Sequence, residues 1–262
     1  MSPSSGLRGL AFVKMTGSGN DFVFFDGRDV EIERVTSPEV ITSICNRNNG
    51  IGADGLVVLE PASPVADVRI HYFNSDGSPA DLCGNATLCS TAMSAMLGLA
   101  EETAMTLTTP AGLITSRLAG GIPEIDLQPV TTIRTEMPID LVSGEQQIGF
   151  AVAGIPHLVI LCTDADQIDV DGRGPLLRHH AASGPAGANV NWVSPMPGGQ
   201  WRYRTFERGV EGETLACGTG AVATAVLLSA WGHGTATKAT IRSSSGRDLE
   251  VRLARPSNSM GY

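Results

Sequence analysis

Residues 204–225 of this chain have the sequence Arg-Thr-Phe-Glu-Arg-Gly-Val-Glu-Gly-Glu-Thr-Leu-Ala-Cys-Gly-Thr-Gly-Ala-Val-Ala-Thr-Ala, with one cysteine directly before a run of small, apolar residues. The run after Cys217 predicts a helix that is buried on all sides, because it has no polar face. Gly218 and Gly220 leave the backbone N–H groups of its first turn open to an anion. The positive end of the helix dipole lowers the pKa of a thiol placed there. The stretch therefore predicts a reactive thiol beside a bound carboxylate.

A second Cys-Gly pair lies in the first half of the chain. The turn Asn74-Ser75-Asp76-Gly77-Ser78 precedes Asp81-Leu82-Cys83-Gly84-Asn85-Ala86, and another small, apolar run follows. The two pairs are separated by about half of the chain, which indicates two similar halves with one cysteine at a helix start in each. Two buried structural cysteines are the alternative, since free cysteine is among the most buried residue types. The shared context of the two pairs favours reactive thiols.

The composition limits the class of partner. The chain has 262 residues, enough for one large or two medium domains, and its formal net charge is −9. This charge argues against nucleic acid, whose phosphates need a basic surface, and it gives no attraction to an anionic membrane. The expected partner is a small molecule, bound through helix ends and individual arginines if it carries carboxylates. A homodimer is left open.

Cysteine usage and the N-terminal sequence predict a cytoplasmic protein. The five cysteines are an odd number and include no closely spaced framework, which argues against a disulfide scaffold. The first residues lack the apolar core of a signal peptide, and no run approaches the length of a membrane span. A reducing cytoplasm, where free thiols survive, is therefore expected.

Apolar and polar residues alternate in the pattern of a strand-rich chain with two long buried helices. The buried helices are expected at 85–99 and 218–231, a helix capped by Ser37 at 37–46, and a short helix within 169–182. The segment Gly154-Ile155-Pro156-His157 is expected to connect two strands, and the tail from Arg255 to be disordered. The predicted strands are 10–15, 22–25, 56–59, 68–73, 105–109, 112–118, 124–130, 146–152, 158–163, 189–195, 201–207 and a closing hairpin of 240–243 and 248–253.

Two further patterns do not predict a cofactor or a metal. Gly50-Ile51-Gly52-Ala53-Asp54-Gly55 matches G-x-G-x-x-G, but a polar run precedes it and a strand pattern follows, which is the wrong context for dinucleotide binding. His179 and His180 have no partner at metal-ligand spacing, and the chain contains no Cys-x-x-Cys or His-x-x-x-His. No metal site is expected.

Six blocks, in order along the chain, resemble the diaminopimelate epimerase family, the racemases that work without pyridoxal phosphate. The resemblance implies an α+β fold of two pseudo-symmetric domains, 1–129 with Cys83 and 130–262 with Cys217. Each domain would be a curved, mainly antiparallel sheet around a central buried helix, with the active site in the cleft between them and no cofactor. The blocks are 14–22, 50–55, 73–85, 154–157, 189–191 and 206–220.

The resemblance also implies a reaction. Removing the α-hydrogen of an amino acid leaves charge that spreads onto its carboxylate, so fixed donors aimed at the carboxylate stabilise the product. The backbone N–H groups of Gly84-Asn85 and Gly218-Thr219 would supply them. One of Cys83 and Cys217 would take the proton from one face as thiolate, and the other would return a proton to the opposite face. The result is inversion at carbon.

Other residues that match the family are expected around the substrate. His157 and Glu207 would polarise the thiols or relay protons, although a core histidine satisfied by the backbone is an equal alternative for His157. Arg208 would clamp a carboxylate; its alternative is a surface ion pair with Glu207 or Glu211. The remaining matches are Asn20, Asn74, Asn189, Glu207, Gly84, Asn85, Gly218 and Thr219. For Asn20 the alternative is an ordinary turn asparagine.

Departures from the family pattern concern the substrate more than the reaction. Ile155 stands where the family has Asn, Thr16 where it has His, and Ala86 and Leu88 where it has Gly and Arg. The first hypothesis is epimerisation of LL-diaminopimelate to the meso form, and the second is racemisation of another free amino acid. A Cys-His acyl-transfer enzyme would leave the second Cys-Gly pair unexplained. Retention of both cysteines argues against a relative that binds amino acids without catalysing a reaction.

Overall fold

A computed structural model describes residues 7–62, 64–80, 83–233 and 237–254. The chain divides into two units, Met1–Leu127 and Gln128–Tyr262. The tail from Arg255, for which disorder is expected, lies outside the described residues.

The first unit contains a seven-stranded sheet whose spatial order follows the chain, β1 to β7. The β2–β3 and β4–β5 pairs are parallel and the other neighbours are antiparallel. A helix precedes the second strand of each parallel pair, since a parallel connection needs a crossover. The elements are β1 (Val13–Gly17), β2 (Asn20–Asp26), α1 (Ile32–Val35), α2 (Pro38–Cys45), β3 (Gly55–Pro61), β4 (Val68–Asn74), α3 (Gly84–Met96), β5 (Met105–Thr109), β6 (Gly112–Ala119) and β7 (Ile122–Ile125).

The second unit contains an eight-stranded sheet of order β15-β14-β12-β11-β10-β9-β8, with β13 paired to β12. Its parallel pairs are β10–β11 and β12–β14, again with a helix in each connection. The elements are β8 (Thr131–Arg134), β9 (Glu145–Ala153), β10 (Ile155–Cys162), α4 (Val170–Arg178), β11 (Asn189–Pro195), β12 (Trp201–Glu207), β13 (Gly212–Thr214), α5 (Gly218–Ala230), β14 (Lys238–Arg242) and β15 (Asp248–Arg252).

The two sheets share one topology. β1 to β6 correspond in order and direction to β9, β10, β11, β12, β14 and β15. The registers correspond as well: Phe22 pairs with Gly55 between β2 and β3, and His157 pairs with Asn189 between β10 and β11. The fold is therefore α+β and duplicated, with mainly antiparallel sheets.

Each sheet has an apolar core on both faces because successive strand residues point to opposite sides. In β2, Phe22 and Phe24 pack on the α3 side, and Val23 and Phe25 pack on the α2 side. The second unit repeats this arrangement with α5 on one face and α4 on the other. The buried faces of α3 and α5 include many small residues, so these helices lie close to their sheets.

Several sequence expectations require correction. Ile155, Pro156 and His157 belong to β10 instead of forming a connection, and β7 ends at Ile125 instead of continuing to 130. Pro156 is tolerated because β10 pairs with β11 only from His157 onward, so no partner on that side needs its missing N–H. The helix expected to reach 99 ends at Met96.

Candidate functional site

The thiol of Cys217 lies at the start of α5. Cys217 is the N-cap residue, with extended backbone angles and 6% exposure. Its Sγ is 3.7 Å from Asn189 Nδ2 and 3.6 Å from Thr219 Oγ1, and the Glu207 carboxylate is close enough to change the pKa of the thiol. β11, β12 and α5 thus bring three predicted site residues to one thiol.

Burial decides the acidity of this thiol. Desolvation, followed by the charge of Glu207, raises the pKa of Cys217 from 9.0 to about 12, although hydrogen bonds from Thr219 and the Gly220 N–H favour the thiolate. The helix start thus acts in the expected direction through the Gly220 N–H, but burial outweighs it and the net pKa of Cys217 is raised. Burial also raises the pKa of Glu207. A thiol with a pKa raised this far is protonated at neutral pH.

Asn189, Glu207 and Arg208 are held together by local hydrogen bonds. Asn189 Oδ1 accepts from the Arg208 N–H at 2.8 Å, and the Thr214 hydroxyl donates to Glu207 Oε1. Arg208 has no ion-pair partner in the part of the chain that the structure describes. Glu211, one of the alternatives considered for Arg208, pairs with Arg178 at 3.1 Å and with His179 at 3.6 Å. This arrangement leaves the Arg208 guanidinium available for an anionic ligand.

His157 is fully buried in β10, beside this cluster. Its Nδ1 lies 3.3 Å from Asn191 Nδ2, and among the described residues its Nε2 has no hydrogen-bond partner. Burial, followed by the charge of Arg208, lowers the pKa of His157 from 6.5 to about 3. A backbone-satisfied core histidine does not fit this geometry. Neither ring nitrogen bonds a cysteine within the described chain, so the Cys-His dyad of the acyl-transfer alternative is not formed.

The first unit presents the same device. Cys83 is the half-buried N-cap of α3, with extended backbone angles close to those of Cys217. Asn85 Nδ2 donates to Asn20 Oδ1 at 2.7 Å, and Asn20 Nδ2 donates to Asp54 Oδ2 at 3.0 Å. Asn20 closes the turn between β1 and β2 by pairing with Gly17, and its side chain in addition links Asn85 to Asp54.

Asn74 ends β4 beside the same helix start. It accepts from the Tyr72 hydroxyl at 3.1 Å and donates to Ser78 Oγ at 3.1 Å. Burial, followed by the proximity of Cys83, raises the pKa of Tyr72, so its hydroxyl stays protonated. Cys83, Asn74 and Tyr72 therefore form one polar group at the C-terminal end of β4, the central strand of the first sheet.

The first turns of both helices are open. A Cβ added at Gly84 or at Gly218 would meet no atom within 4 Å. The backbone N–H groups there can therefore be approached by an anionic group of a ligand, in agreement with the general tendency of helix starts.

Some residues of these clusters were not predicted from the sequence. Asn191 lies in the block with Asn189, and the two-residue period of a strand puts both on one face, a signal that was available. Asp54, Tyr203 and Thr205 have polar partners that are distant in sequence. Tyr72 and Thr214 bond the nearby Asn74 and Glu207, but no motif identified them.

Residues 7–62, 64–80, 83–233 and 237–254 include no group of three or more His, Cys, Asp or Glu side chains arranged to hold a metal ion. In the same ranges no helix has the length and apolar character needed to cross a bilayer.

Solved structures define the class by fold. A PhzF-family phenazine biosynthesis protein of Bacillus anthracis matches with a TM-score of 0.65 at 15% identity, covering 92% of this chain and 87% of that one. A probable proline racemase from Agrobacterium radiobacter matches with a TM-score of 0.63 at 19% identity, covering 92% and 83%. The duplicated sheets, each with a cysteine at the start of its central helix, are thus of the fold that these proteins share.

Sequence comparison defines the family. The family model described as Diaminopimelate epimerase matches residues 12–125 and 150–260. A diaminopimelate epimerase of Gemmatimonas aurantiaca is 69% identical over 93% of this chain and 88% of its own length, and one of Aquifex aeolicus is 36% identical over 83% and 81%. The chain belongs to the diaminopimelate epimerase family, which is a family of isomerases.

Proposed function

We propose that this protein is a diaminopimelate epimerase that converts LL-diaminopimelate to the meso form by transferring protons between cysteines and the α-carbon, without a cofactor. One observation carries the proposal: the cysteine at the N-cap of the central helix in both units, in a chain 69% identical to a diaminopimelate epimerase. A duplicated thiol suits inversion, because one group removes the α-proton and the other supplies a proton to the opposite face.

Carboxylate binding makes the α-proton more acidic. The open first turns at Gly84-Asn85 and Gly218-Thr219 offer backbone N–H groups and the positive helix ends to the substrate's carboxylate. These donors interact more strongly with the carbanion-like state, in which negative charge moves onto the carboxylate, than with the ground state.

Cys217 has the properties of a proton donor. Its raised pKa keeps it protonated, and the thiolate left after proton transfer lies beside the Glu207 carboxylate. That thiolate is a strong base, which suits removal of a weakly acidic α-proton in the reverse direction. Cys83 would then be the base that acts first on the LL substrate.

The surrounding residues would recognise the rest of the substrate. Arg208 suits a carboxylate because its guanidinium has no ion-pair partner in the described chain and forms bidentate pairs. Asn20, Asn74 and Asn189 carry amides at the ends of interior strands of the two sheets, and Asn189 also contacts Cys217. The half-buried Ile155 adds an apolar surface where the family has an amide.

Deuterium exchange tests the reaction. Purified protein, free of pyridoxal phosphate, is incubated in D₂O with LL-diaminopimelate, and α-deuterium uptake is followed by NMR while chiral chromatography measures the meso product. Uptake with inversion supports the proposal. Exchange with another amino acid but not with diaminopimelate would replace the proposed substrate and keep the mechanism; absence of any exchange would overturn both.

Serine at either cysteine tests the paired roles. We expect Cys83→Ser and Cys217→Ser each to lower kcat for epimerisation by at least about 10³-fold, because near neutral pH an alcohol is a far poorer acid and base than a thiol. Cys162→Ser, at a buried cysteine that bonds the Val193 carbonyl, is the matched control and should keep its kcat. Near-wild-type turnover in either of the first two variants would contradict the assignment.

Two accompanying expectations belong to the same proposal. All five cysteines are free thiols, which suits an enzyme working in a reducing cytoplasm. The homodimer left open by the sequence stays a prediction, and analytical ultracentrifugation of the purified protein would test it.

A further inference from the structure

Asn191 is the centre of a buried polar network in the second unit. It lies in β11 and is fully buried. Its Oδ1 accepts from the Tyr203 hydroxyl at 2.7 Å and from Thr205 Oγ1 at 3.0 Å. Its Nδ2 donates to the Leu158 carbonyl at 2.7 Å and lies 3.3 Å from His157 Nδ1. One side chain thus links β10, β11 and β12.

These partners determine which way the amide of Asn191 points. A carbonyl oxygen can only accept, so the atom that faces Leu158 O must be the amide nitrogen. Two hydroxyl donors lie on the other side, and they suit the amide oxygen. The reversed orientation would place Oδ1 against the Leu158 carbonyl without a proton between them, which is unfavourable in a buried place.

The orientation of Asn191 in turn determines the proton position on His157. Because Nδ2 is a donor, His157 Nδ1 must accept, and the proton of the neutral ring is then on Nε2. Burial keeps the ring neutral, since the pKa of His157 is lowered to about 3. Nε2 is the buried ring nitrogen that has no partner in the described chain. A ligand that offers an acceptor would complete it.

The first unit is an internal control for this network. The matching registers put Phe22 at the place of His157, and Val57, two residues after Gly55, at the place of Asn191. Phe22 and Val57 are buried in an apolar core. The shared topology therefore folds with apolar residues here, whereas burying polar groups is costly unless every partner is present. The polar pair of the second unit has a purpose other than folding.

We propose that Asn191 is a positioning residue that holds His157 in the tautomer with its proton on Nε2, so that the neutral ring presents an N–H donor to an acceptor atom of the substrate. This inference rests on the proposed function and changes the role expected for His157 from proton relay to hydrogen-bond donor. Tyr203 and Thr205 keep the amide in place. Asn191 itself contacts no reacting atom.

NMR of the full-length protein labelled with ¹⁵N-histidine tests the tautomer directly. The His157 resonances are assigned by their absence in His157→Gln. We expect a protonated Nε2 and an unprotonated Nδ1 in the wild type. In Asn191→Asp a carboxylate replaces the donor and accepts from Nδ1–H, so the proton should move to Nδ1 and kcat for α-deuterium exchange should fall at least about tenfold, because a wrong tautomer presents a lone pair where a donor is needed.

A second variant and a control keep the test decisive. Asn191→Val introduces the residue found at this place in the first unit and removes the donor, so both tautomers should become populated and kcat should fall. Thr224→Val, at a fully buried hydroxyl in α5 that has no partner in the described chain, should change neither the spectrum nor kcat.

The outcomes separate this inference from the proposed function. A wild-type proton on Nδ1, or a kcat that is unchanged when the tautomer changes, would overturn the role of Asn191. A fall in kcat with an unchanged spectrum would also overturn it, because the loss would then be structural. A wild type that exchanges no deuterium would overturn the proposed function, while its spectrum would still decide the tautomer.

Discussion

The titratable groups of the second unit illustrate how tertiary burial changes the chemistry of a residue that is recognisable in the sequence. Cys217 and its glycines identify a helix start without structural information. The direction in which the pKa of Cys217 shifts does need the structure, because it depends on the burial of the thiol and on Glu207, which lies in β12. A helix start favours a thiolate by a modest amount, whereas desolvation of a fully buried charge is larger. The sequence therefore predicted the identity of the group and not its protonation.

Buried His157 should make the protein sensitive to acid. Its pKa is about 3 in the folded chain and 6.5 ordinarily, so below pH 6.5 the unfolded chain takes up a proton that the folded chain does not. The free energy of unfolding should fall with pH from about 6.5 towards 3, by up to about 1.4 kcal/mol per pH unit from this group. Above that window His157 contributes no pH dependence. Urea unfolding at a series of pH values should show a shallower acid-side slope for His157→Gln than for the wild type.

His179→Gln is the matched control for this prediction. His179 has a side chain that is 66% exposed, so its removal should leave the acid-side slope close to that of the wild type. Parallel curves of stability against pH for His157→Gln and the wild type would show that His157 is not the buried neutral group described above.

At the scale of elements, the start of α5 lies unusually close to the sheet beneath it. A Cβ added at Gly220 would be 2.2 Å from the Tyr203 hydroxyl and 2.5 Å from Asn191 Oδ1. The Tyr203 hydroxyl also approaches the Cys217 carbonyl at 3.4 Å. The absence of a side chain at Gly220 therefore sets the distance between the helix start, which carries the thiol, and the network that holds His157.

Gly220→Ala should destabilise the protein despite the better helix propensity of alanine. The propensity gain is about 1 kcal/mol. The added methyl must displace two hydrogen-bonded atoms of a packed core, and such overpacking costs about 1–3 kcal/mol in addition to the hydrogen bonds that it weakens. We expect a net loss of about 1–3 kcal/mol in the free energy of unfolding and a lower kcat, measured by urea unfolding and deuterium exchange.

Gly218→Ala separates propensity from packing in the same helix. A Cβ at Gly218 meets no atom within 4 Å, so the free energy of unfolding of Gly218→Ala should equal that of the wild type or be slightly higher. Equal stability of the two alanine variants would mean that α5 is not held against the sheet as closely as described.

Element boundaries were predicted where local chemistry fixes them. Ser37 and Pro38 mark the start of α2 in the sequence, and the Ser37 side chain accepts from the Val40 N–H. The end of α3 was expected at 99, but the helix ends at Met96, because Gly98, with φ of +64°, turns the chain while its N–H bonds the Ala95 carbonyl. β8 was not expected, since all four of its residues are exposed and show no alternation. Its place is determined by pairing with β9, a contact that sequence periodicity does not report.

At the scale of the molecule, duplication explains why a short motif predicted so much of the fold. Two Cys-Gly pairs separated by half of the chain indicated a repeat, and the two sheets share strand order, direction and register. The repeat includes the cysteine at each helix start but not every buried residue around it. Where the first unit buries Phe22 and Val57, the second buries His157 and Asn191. Such differences follow from selection on individual sites, so the period alone could not predict them.

The two units should fold independently and be inactive separately. Among the described residues, strands pair only within their own sheet, and each unit has its own apolar cores on both faces of its sheet. Each covers about half of the chain, a usual domain size. We therefore expect the fragments 1–127 and 128–262, expressed alone, to give dispersed amide NMR spectra and cooperative thermal unfolding. Neither should exchange α-deuterium into diaminopimelate, because each carries one of the two cysteines that inversion requires. An unfolded fragment would show that its sheet depends on the other unit, and exchange with inversion by a single fragment would contradict the two-cysteine mechanism.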